Sequence, residues 1–417
     1  MSTSATFSEP QQTRPSSRRM TPRMTRATPE YRHASLALFL SGFATFSLLY
    51  CVQPLLPVFS NAFGITPASS SLSLSVSTVS LAIAILFAAP LSERFGRREL
   101  MFVALLASAA LNIAAGCAPN WPAMLLLRTL EGITLGGVPA VAMTYLAEEV
   151  EPRELAAAMG LYVAGNALGG MIGRVGSGVL TQYFGWRTAM GLVGVIDMTA
   201  AVFFVLLLPR SRHFSPRGRL GVSYHISAWA RHLFRSALPA VYLIGALIMG
   251  AFVTVFNYAG YRLTAAPYHF DQTQQGLLFS VYLFGVGASS VAGILSDRIG
   301  RQRVLPVGIA TMMAGILLTM MASVPCIVIG ISLLTMGFFT SHAIASGWVG
   351  RLAKTDRGHA TSLYLLCYYM GSSVAGSAGG WFWSAWRWPG IAGFTLIILA
   401  LAMGSAFWLA GRVRQAA

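Results

Sequence analysis

Acidic side chains are scarce in this chain: 13 Asp and Glu stand against 29 Lys and Arg in 417 residues. One of the 29 is a lysine, Lys354, and it follows Ala353, so no Gly-Lys-Ser/Thr phosphate loop exists and a Walker-type ATPase is excluded. Charged residues of both signs make up 10% of the chain, where a soluble domain carries about 25%. An ordinary soluble fold is excluded as well. Cysteine is rare: Cys51, Cys117, Cys326 and Cys367 have no paired spacing and lie in or beside apolar runs. That predicts buried, reduced thiols rather than a disulfide framework. No His-Glu-x-x-His or Cys-x-x-Cys pattern supports a metal, and no cofactor is expected. A membrane enzyme would need clustered His, Asp or Cys at facing positions, and a sensor would need an appended domain. Neither is seen.

What is abundant is apolar, at 55% of the residues. Spanning a bilayer core takes about 20 predominantly apolar residues per helix. Twelve such runs lie near 35–57, 70–91, 100–118, 122–146, 156–179, 188–208, 238–260, 274–294, 304–322, 325–349, 359–383 and 389–411. They are long, continuous and without ten-residue alternation, so they read as helices and not barrel strands. The expected fold is all-α and integral to the membrane, with twelve transmembrane helices in two six-helix bundles, 35–208 and 238–411. A cytoplasmic linker, 209–237, joins them and contains an amphipathic stretch, YHISAWARHLF (224–234), suited to lie on the membrane surface. Residues 1–34 are rich in Ser, Thr, Pro and Arg and lack the apolar core of a signal peptide, so they read as a disordered cytoplasmic tail. Residues 412–417 form a second tail, and Met20 and Met24 are alternative starts.

The formal charge of +16 invites a nucleic-acid reading, but its distribution answers a different need. Assigning loops alternately to two sides puts 24 of the 29 Lys and Arg on one side. They are Arg14, Arg18, Arg19, Arg23, Arg26 and Arg32 in the amino-terminal tail, Arg94, Arg97, Arg98 and Arg153, then Arg210, Arg212, Arg217, Arg219, Arg231 and Arg235 in the linker. The rest are Arg298, Arg301, Arg303, Arg351, Lys354, Arg357, Arg412 and Arg414. The opposite loops hold Arg187, Arg262 and Arg387. This is the positive-inside pattern, with both termini cytoplasmic, a lipid bilayer as partner and no nucleic acid.

Two basic loops echo one another. Residues 89–99 read APLSERFGRRE and residues 293–303 read GILSDRIGRQR, with matching positions 204 apart. Gly96 and Gly300 permit a tight turn between antiparallel helices. Glu93 and Asp297 stand at a helix end beside Arg94 and Arg298, in a gating motif with Arg97, Arg98 and Arg301, so acid–Arg links are expected to latch one bundle against the other, and to break as a cavity alternates between sides. A static topology anchor is the plainer reading.

These residues carry a resemblance to the major facilitator superfamily. Both loops resemble its motif A, with Pro90 and Glu93 as departures in the first copy. RTLEGITLGG (128–137) resembles motif B through Arg128 and Gly132. GLYVAGNALGGMIGRVGSG (160–178) follows the glycine spacing of the antiporter motif C at Gly160, Gly169, Gly173 and Gly178, with Arg174 where that motif has Pro. The resemblance covers residues 35–411. More narrowly, LLYCVQPLLPV (48–58), GNALGGMIGR (165–174), FVTVFNYAGYRL (252–263) and SLYLLCYYMGSSVAG (362–376) look like the YnfM-type branch of drug-efflux-like transporters of the bacterial inner membrane. The resemblance implies a multi-pass inner-membrane transporter, working as a monomer by alternating access. Proton-coupled efflux of small organic compounds, with multidrug resistance as its outcome, is the implied activity. A facilitator or proton-linked carrier of an anionic metabolite or sugar is the alternative, favoured by the lost Pro.

Ionisable residues inside the runs are functional candidates. Arg128 and Glu131 share a face at i and i+3; the resemblance implies proton coupling, and an intrahelical ion pair is equally open. Arg174 has no acid within four residues and suits either an anionic substrate or a carboxylate from another helix. Asp197 is a proton-carrier candidate or a partner for Arg174, and His342 a titrating or a packing residue. Candidate substrate contacts are Tyr50, Gln53, Asn166, Asn257, Tyr258, Tyr261, Trp348, Tyr364 and Tyr368, which offer ring faces and amide groups.

Overall fold

A backbone in hydrocarbon has only its own polar groups to bond, and the apolar runs accordingly fold as helices. In the computed structural model, residues 23–212, 222–234, 237–353 and 355–415 are described. Residues 1–22 of the expected tail, with Arg14, Arg18 and Arg19, lie outside them, as do Arg217, Arg219, Arg235 and Lys354. Among the described residues no strand forms; one parallel bridge joins Met24 to Val150.

The first half holds α1 (Pro29–Tyr50), α2 (Leu56–Phe63), α3 (Pro67–Phe95), α4 (Arg97–Gly116), α5 (Trp121–Leu135), α6 (Pro139–Glu149) and α7 (Leu155–Leu207). A linker helix follows, α8 (Val222–Phe234). The second half holds α9 (Leu238–Thr264), α10 (Gln272–Leu277), α11 (Tyr282–Ile299), α12 (Arg301–Leu318), α13 (Val324–Leu352) and α14 (Arg357–Gln415). Nine of the described helical stretches are long and apolar enough to cross a membrane, counting α1 with α2, α5 with α6 and α10 with α11 as one each. The two longest turn back on themselves. Gly185 in α7 has φ 78°, and Arg387 in α14 has φ 52°, so each consists of two arms. Divided at these points and with the 18-residue α12 included, the described residues comprise twelve helical arms besides the linker helix α8.

Two differences from the sequence reading have local causes. First, α1 starts at Pro29 and not at 35, and residues ahead of it are docked: Met24 exchanges backbone hydrogen bonds with Glu149 and Glu151 at 2.8 and 3.0 Å. Second, of the four free cysteines only Cys51 is buried; Cys117 is exposed because it ends α4 at a short loop. The aromatic group at 381–388 is divided between surface and interior. Trp381 and Trp386 are exposed, whereas Trp383 and Trp388 are buried.

Each half is held by helices that approach closely at small residues. A side chain at Gly165, Gly169 or Gly173 of α7 would land on the backbone of Phe39, Phe43 and Ser47 of α1. In the second half, one at Gly371 of α14 would land on Ala246 of α9. Close backbone approach of this kind maximises packing where no hydrophobic driving force exists between helices.

The two loops predicted as tight turns are tight turns, with φ of 91° at Gly96 and 89° at Gly300. These loops and the chain start define one face of the molecule. The hydrogen bonds that join the halves cluster toward the opposite, distal face. Ser75 and Thr78 of α3 bond Ser373 of α14 (Thr78 Oγ1 to Ser373 Oγ, 2.6 Å), and Gln182 accepts from the Gln272 amide at 3.0 Å. Gly178 of α7 packs on Gly276 of α10. Small and hydroxyl side chains thus close the distal face with short-range contacts.

Candidate functional site

The site grows from a break in α1. Pro54 has no amide hydrogen, so the helix ends at Tyr50, a 3₁₀ turn spans Gln53–Leu55, and α2 takes over. Such a break orphans helix-end carbonyls. Arg128 satisfies two of them: its Nη1 donates to the Leu48 carbonyl at 3.1 Å and its Nη2 to the Leu49 carbonyl at 2.7 Å. Nε donates to the Ser73 carbonyl at 3.1 Å, and Nη1 also meets Glu131 Oε2 at 2.6 Å. Both side chains are fully buried. The pair is therefore a staple for α1, α3 and α5, with Glu131 Oε1 left without a hydrogen-bond partner.

The staple leaves Gln53 at the centre of the molecule. Arg174 of α7 donates from Nε to Gln53 Oε1 at 2.7 Å, and from Nη1 to the Gly170 carbonyl. Gln53 Nε2 donates to Asn257 Oδ1 of α9 at 2.8 Å, crossing from one half to the other. Arg174 is 2% exposed, yet no carboxylate meets it among the described residues. Its charge is held against rings instead, with Tyr50, Tyr282 and Phe279 centroids 4.0, 4.9 and 5.2 Å from the guanidinium carbon. Burying a charge costs several kcal/mol, and three desolvated cation–π contacts worth up to about 2 kcal/mol each, with two hydrogen bonds, offset it.

Further rings follow in the second half. His342 Nδ1 lies 3.0 Å from the Tyr364 hydroxyl, and its ring packs 4.7 Å from Tyr368 and 5.9 Å from Phe338. Tyr368 meets Tyr369 edge-on at 5.1 Å. Tyr50, Gln53, Asn257, Tyr364, Tyr368, His342 and Arg174 thus lie where the halves face each other. Asn166 is half-buried one helical turn from Gly170, with its Oδ1 unpartnered.

Other candidates fall elsewhere. Tyr258 and Tyr261 belong to the distal closure: Tyr258 donates to the Gly376 carbonyl at 3.0 Å and stacks on Trp383, while the Tyr261 hydroxyl reaches Ser60 and the Leu56 carbonyl at 2.7 and 2.8 Å. Trp348 is buried near the far end of α13 and makes no ring contact with the cluster. Asp197 does not pair with Arg174; neither of its carboxyl oxygens has a hydrogen-bond partner. The sequence reading missed Phe279, Tyr282 and Phe338, which sit in runs such as LLFSVYLF that read as plain apolar span. A usable signal was there: Phe279 and Tyr282 are three apart, on one helical face.

The latch between bundles is not engaged in this conformation. Arg97 instead makes a two-point contact with Glu148 of its own half (2.7 and 3.1 Å), along with Ser92, and Arg98 bonds the Val205 carbonyl. No ion pair joins Glu93, Arg94, Asp297 or Arg298 to a described residue of the other half. Arg301 has unpartnered Nε and Nη1 atoms.

Paired six-arm halves, a central polar cluster between them and twin glycine turns on one face define a secondary transporter of the two-bundle type. Residues 38–263 and 244–416 each match the Major Facilitator Superfamily, and the chain belongs to that family. It is 45% identical to the inner membrane transport protein YnfM of Escherichia coli over 91% of this chain and 90% of that protein. It is 43% identical to the MFS-type transporter YybF of Bacillus subtilis over 94% and 96%. Among solved structures it resembles a bacterial homolog of the human lysosomal transporter Spinster, inward-facing and unoccupied, at a TM-score of 0.75 and 14% identity, covering 92% and 97%. The nucleoside transporter NupG follows at 0.73 and 12%, covering 91% and 99%. At these identities the structural likeness speaks for the fold alone. Membership makes the chain a carrier of small molecules and not an enzyme.

Proposed function

We propose that this chain is a proton-linked exporter of small amphipathic organic compounds, working by alternating access as a monomer. The observation that carries the reading is the buried cluster between the halves, where one guanidinium is packed on the Tyr50, Phe279 and Tyr282 rings and His342 on the Tyr368 ring. Rings take up flat apolar bodies, and a few polar groups orient them. With the termini cytoplasmic, as the arginine distribution favours, the closed distal face is periplasmic and the conformation described is inward-facing. Support for proton linkage comes from Asp197 and Glu131, whose free oxygens are buried without donors, so that each has an oxygen available to a proton. Arg128 positions Glu131, and His342 is assigned to packing by its Tyr364 bond. In the same reading, the Gly96 and Gly300 loops latch the inner face in the other state.

A carrier of an anionic metabolite is the second reading, and the lack of any carboxylate beside Arg174 favours it. Accumulation of a neutral acridine dye and of 1-naphthoate in everted vesicles separates the two. Uptake that follows an imposed pH gradient, collapses with an uncoupler and disappears in Arg174→Ala supports proton-linked export. Flux that ignores the gradient replaces export with facilitation, and no movement of either probe at normal protein levels sinks the proposal.

A further inference from the structure

Arg174 can only donate, and this fixes every amide around it. Gln53 must turn its oxygen toward the guanidinium, so its nitrogen must face Asn257, which must accept through Oδ1. The end of this chain is an Asn257 Nδ2 that is buried and has no acceptor. All three residues are at most 2% exposed. The guanidinium is used unevenly. Nη1 is bound to the Gly170 carbonyl, Nε to Gln53, and Nη2 has no hydrogen-bond partner among the described residues.

Carboxylates prefer to bind arginine by two parallel bonds, and one of the two edges they use is the pair Nε and Nη2. On that edge here, Nη2 is vacant and Nε is held by a neutral amide oxygen. A carboxylate arriving there takes both positions, because it brings a full negative charge and makes two parallel bonds to the guanidinium where the neutral amide makes one. Gln53 is then expelled. It has a place to go: beside it is a small cavity lined by Gln53, Pro54, Phe256, Gly260, Gln275, Leu278 and Phe279. Gln275 presents there a buried Oε1 without a donor, while its own Nε2 is occupied by Thr264 at 2.9 Å. Gln53 lines the same cavity, so its amide nitrogen can turn to that free acceptor.

We infer that the transported compound is an organic carboxylate that displaces Gln53 from Arg174, so that ligand binding and the Gln53–Asn257 bond across the two halves exclude one another. This rests on the reading of the Arg174 cluster as the transport site and adds the ligand's charge and the event it triggers. Loading exchanges the contact of the Gln53–Leu55 turn with α9 for one with α10, giving the carrier two arrangements of the same side chain that the ligand selects between. Tyr50, Tyr282 and Phe279 accept the flat body of the ligand beside the guanidinium they already flank. Mutual exclusion is reciprocal: whatever weakens the Gln53–Asn257 bond must strengthen carboxylate binding.

The test is titration of the purified full-length protein in nanodiscs with 1-naphthoate, and with 1-naphthalenemethanol as the neutral probe of the same ring. Wild type is expected to bind naphthoate at least about tenfold more tightly than the alcohol, a difference of about 1.4 kcal/mol. Asn257→Ala removes the competitor for Gln53 and is expected to tighten naphthoate binding several-fold, a gain that misfolding cannot imitate. Gln53→Glu places a resident carboxylate on Arg174 and is expected to weaken it more than about tenfold, with the alcohol unaffected. Equal affinity for the two probes, no naphthoate binding, or unchanged or weaker naphthoate binding by Asn257→Ala overturns the inference. The underlying reading fails separately, if naphthoate binds as described but Arg174→Ala leaves its vesicle flux unchanged.

Discussion

The two echoed loops have one backbone and two different fates. Gly96 and Gly300 turn with nearly the same φ, 91° and 89°, and each is followed by an arginine that starts the next helix. In the first half that arginine, Arg97, is 5% exposed and clamped on Glu148. In the second, Arg301 has two unpartnered nitrogens and feels the like charge of Arg351. The turn is dictated by glycine and repeats wherever glycine repeats; the anchoring depends on what the neighbouring helix supplies. The same contrast runs through the interiors. The first half buries Arg128, Glu131, Arg174 and Asp197, whereas the second buries amides and hydroxyls such as Asn257 and Thr335 and touches these charges only at Arg174, through the Phe279 and Tyr282 rings. One half keeps the charge and the other offers neutral partners to it.

The sharpest way to break that contrast is Arg128→Leu. It leaves Glu131 buried and unpaired and takes the donor from the Leu49 carbonyl, while the Leu48 and Ser73 carbonyls keep Cys51 and Ser77, and this is expected to cost about 3–5 kcal/mol in denaturant unfolding of the detergent-solubilised protein. Thr335, 204 residues after Glu131, only bonds its own helix at Ile331, and Thr335→Val should cost less than about 1 kcal/mol. Next in size is transport. Asp197→Asn should abolish the response of vesicle uptake to a pH gradient while the protein still folds, whereas His342→Gln retains that response; the reverse result would move proton linkage into the second half.

Glu148→Ala should cost about 1.5–3 kcal/mol, because Arg97 loses its charged acceptor at a nearly buried position. Arg351→Glu copies that arrangement beside Arg301 and should raise thermal stability by at most about 1 kcal/mol. The smallest effect belongs to the linker helix. Asp356 accepts from the Tyr224 hydroxyl at 2.6 Å and from Arg231 at 2.7 Å, and these bonds hold its carboxyl below the usual carboxylate range. The stabilisation is present above the unfolded value near about 3.9 and fades as pH falls through the lower folded value. Asp356→Asn should loosen α8 by less than about 1 kcal/mol, seen as faster amide exchange over 222–234 at neutral pH.

The helical arms and both glycine turns were legible because each follows from a local property, apolar length or a residue free to take positive φ. Arg174 was legible as an oddity, a charge without a neighbour. Its partner was not, since Gln53 is 121 residues away and reached only through a break that Pro54 imposes. The distal closure was invisible for another reason. Ser75, Thr78 and Ser373 look like any hydroxyls satisfied on their own helices, and only the meeting of the halves makes them a seam. The amino-terminal segment read as a tail because its composition is polar, and Met24 is ordered by a partner at Val150 that composition cannot reveal.

Gln53 and Asn257 are 204 residues apart, the same interval that separates the two glycine turns. They are therefore copies of one position in the internal repeat, and their bond links a residue to its own counterpart. In a symmetric pair of identical chains, a side chain on the twofold axis must be complementary to itself. A carboxylate repels its copy and a guanidinium has no acceptor, but an amide carries both a donor and an acceptor. The pairing keeps that self-complementary chemistry with side chains of two lengths, as a fused duplication of a once symmetric dimer would. The longer copy is the one that reaches the arginine.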